Sequence, residues 1–206
     1  MLGWIREWRI DRMTDRVARR PHGRKARETY GADDAHSFAW EPVLDALQLT
    51  PEDALLDVGC GGGVFLRRAL ETGCRGIGVD HSSDMVRLAR KTTAGRAQIV
   101  HGSAERLPFG DAEFTAVSCL VAFFFFREPV IVLREFLRVL EPRLGRAAIY
   151  TTAPELKGTD AAPYPLATRG HFYQDDELVT LAGEGGFAHV EVRRPGDGAQ
   201  LLVARP

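Results

Sequence analysis

The sequence predicts an α/β fold, a doubly wound and mostly parallel sheet that ends in an antiparallel hairpin and carries a helical cap at its N-terminus. Three observations predict it. From residue 54 onward, short apolar runs alternate with segments of helical period, the pattern of strands buried on both faces and joined by helices. A glycine-rich stretch, Asp57-Val58-Gly59-Cys60-Gly61-Gly62-Gly63, stands where the first of those runs gives way to a helix. Finally, 206 residues, 45% of them hydrophobic and with 27 Lys+Arg against 28 Asp+Glu, suffice for one domain with a full core.

In chain order, residues 1–27 come first and are strongly basic: the arginines from Arg6 to Arg27 outnumber Glu7, Asp11 and Asp15. Trp4, Trp8, Ile10, Met13 and Val17 repeat at three and four, which makes a basic amphipathic helix ending near Pro21 and Gly23. Such a helix packs on the domain with a solvated arginine face, weak association with a surface being the alternative. Strands follow at Ala54 to Val58, Gly76 to Val79, Ala97 to Val100, Phe114 to Val121 and Arg146 to Thr151. The intervening helices run to Leu70, from Ser83 to Arg90, and from Glu128 to Leu140, the last with Pro129 in its first turn. Residues 153–172 lose all periodicity and contain Pro154, Pro163 and Pro165, which reads as a lid. A helix opening on Asp175, Asp176 and Glu177 stops at Gly183, and Phe187 to Arg193 with Ala199 to Val203 form the hairpin. The expected division is a cap over 1–40 and one globular unit over 41–206.

The glycine loop carries the chemistry. Side chains at Gly59 or Gly61 would hold the backbone away from a ligand lying across the strand end. A dinucleotide fingerprint needs a third glycine where this chain has Val64, and Asp57 would repel a pyrophosphate. Asp80 ends the second strand, where a carboxylate can accept both hydroxyls of a ribose. An adenosine ligand with a cationic centre and an amino-acid end meets all three conditions, its carboxylate facing the helix N-terminus.

The segments ALLDVGCGGG, GIGVDHSSDMVRLAR, HGSAERLPFGDAEFTAVSC and REPVIVLREFLRVLEP resemble the successive motifs of class I S-adenosylmethionine-dependent methyltransferases, in the ubiquinone/menaquinone C-methyltransferase-like branch, over residues 40–205. That resemblance implies a seven-stranded Rossmann-like sheet, S-adenosyl-L-methionine as cofactor with S-adenosyl-L-homocysteine as product, and a small-molecule acceptor. It places Asp57, Gly59, Cys60 and Gly61 at the methionine part, Asp80 at the ribose, and His81 and Met85 around ribose and adenine. Ser103, Ala104 and Glu105 fall at the adenine edge, and Cys119 and Leu120 beside the methyl group. The chain departs from the family where Ser103 and Thr115 replace acids. Rival readings are an enzyme using the same cofactor for a different reaction, a non-catalytic binding module, and a nicotinamide-dependent oxidoreductase.

Proton acceptors for the transfer are sought on loops, where His36, His171, Tyr30 and Tyr173 stand. Phe123 to Phe126 follow the fourth strand, and in an extended chain alternate rings reach an acceptor pocket, so Phe123, Phe124 and Tyr173 are candidate pocket residues. Cys60, Cys74 and Cys119 show neither disulfide nor zinc spacing, so no metal is expected and a reducing cytoplasm is. Near-neutral charge, the absence of a membrane-length apolar stretch and Cys-Leu-Val-Ala at the end of the fourth strand argue against nucleic acid and bilayer. A monomer or a homodimer is expected.

Overall fold

A computed structural model describes residues 21–160, 162, 164, 166–196 and 198–206. The amphipathic stripe from Trp4 to Val17 lies outside the described residues. Seven strands form one sheet: β1 (Ala54–Val58), β2 (Arg75–Asp80), β3 (Gln98–His101), β4 (Ala116–Leu120), β5 (Arg146–Thr152), β6 (His189–Arg193) and β7 (Ala199–Arg205). Their order is β3-β2-β1-β4-β5-β7-β6. The first five are parallel, and β7 runs antiparallel to both β5 and β6. This is the doubly wound, Rossmann-like sheet that the alternating pattern predicts.

Every residue of β1 is buried because both faces are covered. Leu56 and Val58 pack with Val117, Leu133 and Phe136 on one side. Leu55 packs with Val43, Phe65 and Leu66 on the other. The helices supplying these layers are α1 (Gly23–Tyr30), α2 (Trp40–Leu47), α3 (Val64–Ala69), α4 (Ser83–Thr92), α5 (Pro129–Val139) and α6 (Asp175–Glu184). The Ser82 hydroxyl caps α4 by accepting from the Met85 N–H, and Gln174 with Glu177 forms a capping box on α6.

One segment adds to the expected reading and another departs from it. The helix expected to end near Pro21 and Gly23 lies outside the described residues, and a further helix, α1, begins at Gly23, whose φ is +79°. Its N–H donates to Asp84 Oδ2 at 2.6 Å and Arg27 pairs with the same carboxylate at 3.2 Å, so α1 is fastened to the start of α4. Phe123–Phe125 form a 3₁₀ turn where an extended run was expected, so their side chains step around an axis and do not alternate between two sides.

The opposite end of the sheet explains Thr115. Its hydroxyl donates to Asp53 Oδ1 at 2.6 Å and accepts from the Ala54 N–H at 3.0 Å, while Arg146 grips both Asp53 oxygens at 2.7 and 2.9 Å. A second acid beside Asp53 would have repelled it, so Thr115 serves a structural corner remote from the strands' carboxyl ends. Among the described residues no helix is long and apolar enough to cross a membrane.

Candidate cofactor and acceptor site

The strand order reverses between β1 and β4, and the loops leaving the carboxyl ends of these strands diverge there into a crevice. A cavity of about 350 Å³ occupies it. Asp57 lies at its floor, 2% exposed, with the Ser118 hydroxyl donating to Oδ1 at 2.8 Å. Burial pushes its carboxyl up to about 7 against that hydrogen bond, and the charge of Asp80 adds to the rise. Among the described residues no cationic side chain pairs with Asp57.

The glycine loop turns over β2, since the N–H groups of Gly59 and Cys60 both donate to the Val79 carbonyl, at 2.8 and 3.1 Å. Gly59 and Gly61 sit at φ +72° and +52°, a left-handed backbone that L side chains rarely adopt. Asp80 holds the turn in place: Oδ2 accepts from the Gly61 N–H at 2.9 Å and Oδ1 from the Ser82 N–H at 2.8 Å. Burial nevertheless raises its carboxyl above the usual aspartate range. The His81 imidazole stands 3.8 Å from Asp80 Oδ1.

On the far wall are Ser103, Ala104 and Glu105, the Ser103 hydroxyl donating to the Glu105 carboxylate, and Leu120 stands at the end of β4. Cys60 also lines the cavity, its thiol pushed well above the ordinary value by burial and by Asp57 and Asp80, which leaves it inert as a nucleophile. Met85 and Cys119, by contrast, are 0% exposed and line no part of it; both are packed in the interior behind it. Several lining residues carried no signal in the sequence: Trp40 from α2, and Val121 and Arg127 after β4, whereas Phe126 belongs to the phenylalanine run already marked as bordering a pocket.

The roof is the C-terminal end of α1. Tyr30 lies directly over the glycine loop, its carbonyl carbon and oxygen against Gly62 and its ring against Gly61. Burial, then the charge of Asp80, pushes the Tyr30 phenol up to about 12. His36 follows with its ring 5.7 Å from that of Tyr30, edge to face, and burial lowers its pKa below the usual histidine value.

A second cavity of about 600 Å³ opens beside the first and shares Tyr30, His36, Val121 and Phe125 with it. Its walls are aromatic. Phe38 packs on Tyr150 at 5.7 Å, and Phe124 packs on Phe125 at 4.4 Å and on Phe172 at 5.8 Å. Leu156, Ala162 and Phe172 come from residues 153–172, so the segment read as a lid walls this space. Phe124 thus faces the second cavity, whereas Phe123 and Tyr173 pack on one another at 5.9 Å in the core and line neither cavity. His171 is exposed, stacks on Tyr173 and lines neither cavity, although its N–H donates to the Phe124 carbonyl at 2.7 Å. The structure therefore brings Tyr30 and His36 to the junction of the cavities and leaves His171 outside. Among the described residues no group of His, Cys, Asp or Glu could hold a metal ion.

Residues 56–148 match the family model described as a methyltransferase domain. The chain is similar to the demethylmenaquinone methyltransferase of Staphylococcus carnosus, 29% identical over 188 residues that cover 78% of each chain. It also resembles the demethylmenaquinone methyltransferase of Clavibacter sepedonicus, 32% identical over 58% of this chain, of whose length it spans 46%. Among solved structures, a protein of Pyrococcus horikoshii OT3 superimposes with a TM-score of 0.73 at 24% identity, over 90% of this chain and 100% of that one, a likeness of fold. The matched domain covers the glycine loop, Asp80 and β4, the elements that build the first cavity. Residues 56–148 thus match a methyltransferase domain, and the chain is similar in sequence and fold to the class I S-adenosylmethionine-dependent methyltransferases.

Proposed function

We propose that this enzyme methylates a small, apolar or aromatic molecule seated in the second cavity, with S-adenosylmethionine in the first. The observation that carries this reading is the junction of a polar, acid-floored cavity with a larger aromatic one. S-adenosylmethionine supplies a methyl group on a cationic sulfur. The residues present fit it. Asp57 is a buried carboxylate without a counter-charge among the described residues and suits the cationic amino-acid end. Gly59 and Gly61 leave room for close approach of a ligand to the loop backbone, with Cys60 between them. Asp80, already aligned by Gly61 and Ser82, keeps lone pairs free for ribose hydroxyls, and His81 flanks it. Ser103, Ala104 and Glu105 border the base, Leu120 the methyl group, and Met85 and Cys119 support these walls from behind.

The work of the protein is then alignment and exclusion of water, for which the Tyr30 roof and the residue 153–172 wall are suited. The buried, free cysteines are consistent with a cytoplasmic enzyme, and the balanced charge with a small-molecule acceptor. Asp80→Ala tests the assignment. Losing hydrogen bonds to a charged group costs about 1.5–3 kcal/mol, so affinity for S-adenosylhomocysteine should fall roughly tenfold to a hundredfold. Unchanged affinity, measured by calorimetry on a variant with native circular dichroism, would remove Asp80 from the site.

A further inference from the structure

We infer that the acceptor is a neutral, planar phenol methylated on its oxygen, and that His36 takes the phenolic proton. The inference rests on the proposed reaction and goes beyond it by naming the acceptor class and the base.

Four observations carry it. His36 lies at φ +58°, a conformation that costs energy in a non-glycine residue and that places its ring between Tyr30 and Phe38, where it lines both cavities. Among the described residues its ring nitrogens have no hydrogen-bond partner, whereas His101 Nε2 meets the His81 carbonyl at 2.9 Å. Burial lowers the pKa of His36, so at neutral pH the imidazole is uncharged and can accept a proton. The other titratable groups near the junction do not compete: Tyr30 from α1 is held protonated by burial and Asp80, and the Tyr150 phenol from β5 is likewise raised by burial. Asp57, Asp80, His81, Glu105 and Arg127 line only the first cavity.

The walls decide the acceptor class. The described residues lining the second cavity include no Asp, Glu, Lys or Arg, so among them neither an ammonium compound nor a phosphate ester finds a counter-charge. Phe38, Phe124, Phe125, Tyr150 and Phe172 offer flat faces to a ring. A phenol is a far stronger acid than an aliphatic alcohol and so yields its proton to an imidazole more readily. In the step the phenolic O–H bond breaks and its proton passes to a His36 ring nitrogen. The oxygen electron pair forms the new O–CH₃ bond as the S–CH₃ bond breaks, and that bonding pair stays on sulfur. His36 afterwards returns its proton to water.

The test compares 4-methylphenol with 4-nitrophenol, which ionises near neutral pH without help, in wild type and His36→Asn. Asparagine tolerates the left-handed backbone but takes no proton. Wild type should methylate both on oxygen. In the variant at pH 8, kcat on 4-methylphenol should fall about a hundredfold, and kcat on 4-nitrophenol less than fivefold. In wild type, kcat on 4-methylphenol should rise with pH through a group titrating below the usual histidine value and then level off. Equal losses on the two phenols, methylation on ring carbon, or failure of wild type to turn over either phenol while it binds S-adenosylhomocysteine would overturn the inference and leave the cofactor reading intact. Failure to bind S-adenosylhomocysteine would overturn both.

Discussion

Asp57→Asn is expected to be harder to unfold than wild type at pH 8 and to bind S-adenosylhomocysteine at least tenfold more weakly. Asp57 titrates near 3.8 in an unfolded chain and near 7 when buried at the end of β1. Between those values the folded protein retains a proton that the unfolded chain has lost, so this group's contribution to stability falls as pH rises from about 4 to about 7 and is constant above. At 1.36 kcal/mol per pH unit, the burial of the charge costs about 4 kcal/mol at pH 8. Asparagine keeps an oxygen to accept from Ser118 and carries no charge. Its advantage should appear as a rise in Tm of roughly 8–16 °C at pH 8 and shrink to nothing below pH 4. The same charge is the one that a cationic ligand neutralises. Binding to wild type near pH 6 should therefore release protons, seen as a dependence of calorimetric enthalpy on the buffer's ionisation heat. A variant less stable than wild type at pH 8, or one that binds as tightly, would contradict this role.

Gly62→Ala should have an equally large effect for a steric reason. A Cβ on Gly62 would stand 1.9 Å from the Tyr30 carbonyl oxygen and 2.8 Å from its carbonyl carbon, backbone atoms that cannot swing aside. The end of α1 must lift off the glycine loop, taking Tyr30 and His36 with it and opening both cavities to water. S-adenosylhomocysteine affinity should drop more than a hundredfold, and limited proteolysis between residues 23 and 40 should accelerate. Gly183→Ala is the control, since nothing lies within 4 Å of its Cβ and alanine is the better helix former; stability there should hold or rise. Wild-type affinity in Gly62→Ala would show that the roof is not closed on the loop.

Much of the fold was legible because burial on both faces writes itself as short apolar runs. Ala54–Val58 is read to the residue, and the strands at Arg75–Asp80, Gln98–His101 and Arg146–Thr152 differ from their expected bounds by one or two positions. What failed to show was contact distant in sequence. Trp40 joins the cavity wall because α2 packs over β5 and β7, which no local period records. Phe123 to Phe126 have strand-like composition, yet the turn after β4 winds Phe123–Phe125 into a 3₁₀ helix that buries Phe123 and turns Phe124 and Phe125 to the second cavity. His171 and His36 looked equivalent as loop histidines; only the packing of α1 against the glycine loop sets them apart. Thr115 looked like a departure at the site and belongs to the Asp53–Arg146 corner.

Isothermal titration of the purified protein with S-adenosylhomocysteine, with NADH as the control ligand, tests the central claim most directly. The acid-floored first cavity predicts micromolar binding of the former at one site per chain and none of the latter. Binding of NADH with no heat from S-adenosylhomocysteine would contradict the methyltransferase account and mean that Asp57 and Val64 do not exclude a dinucleotide.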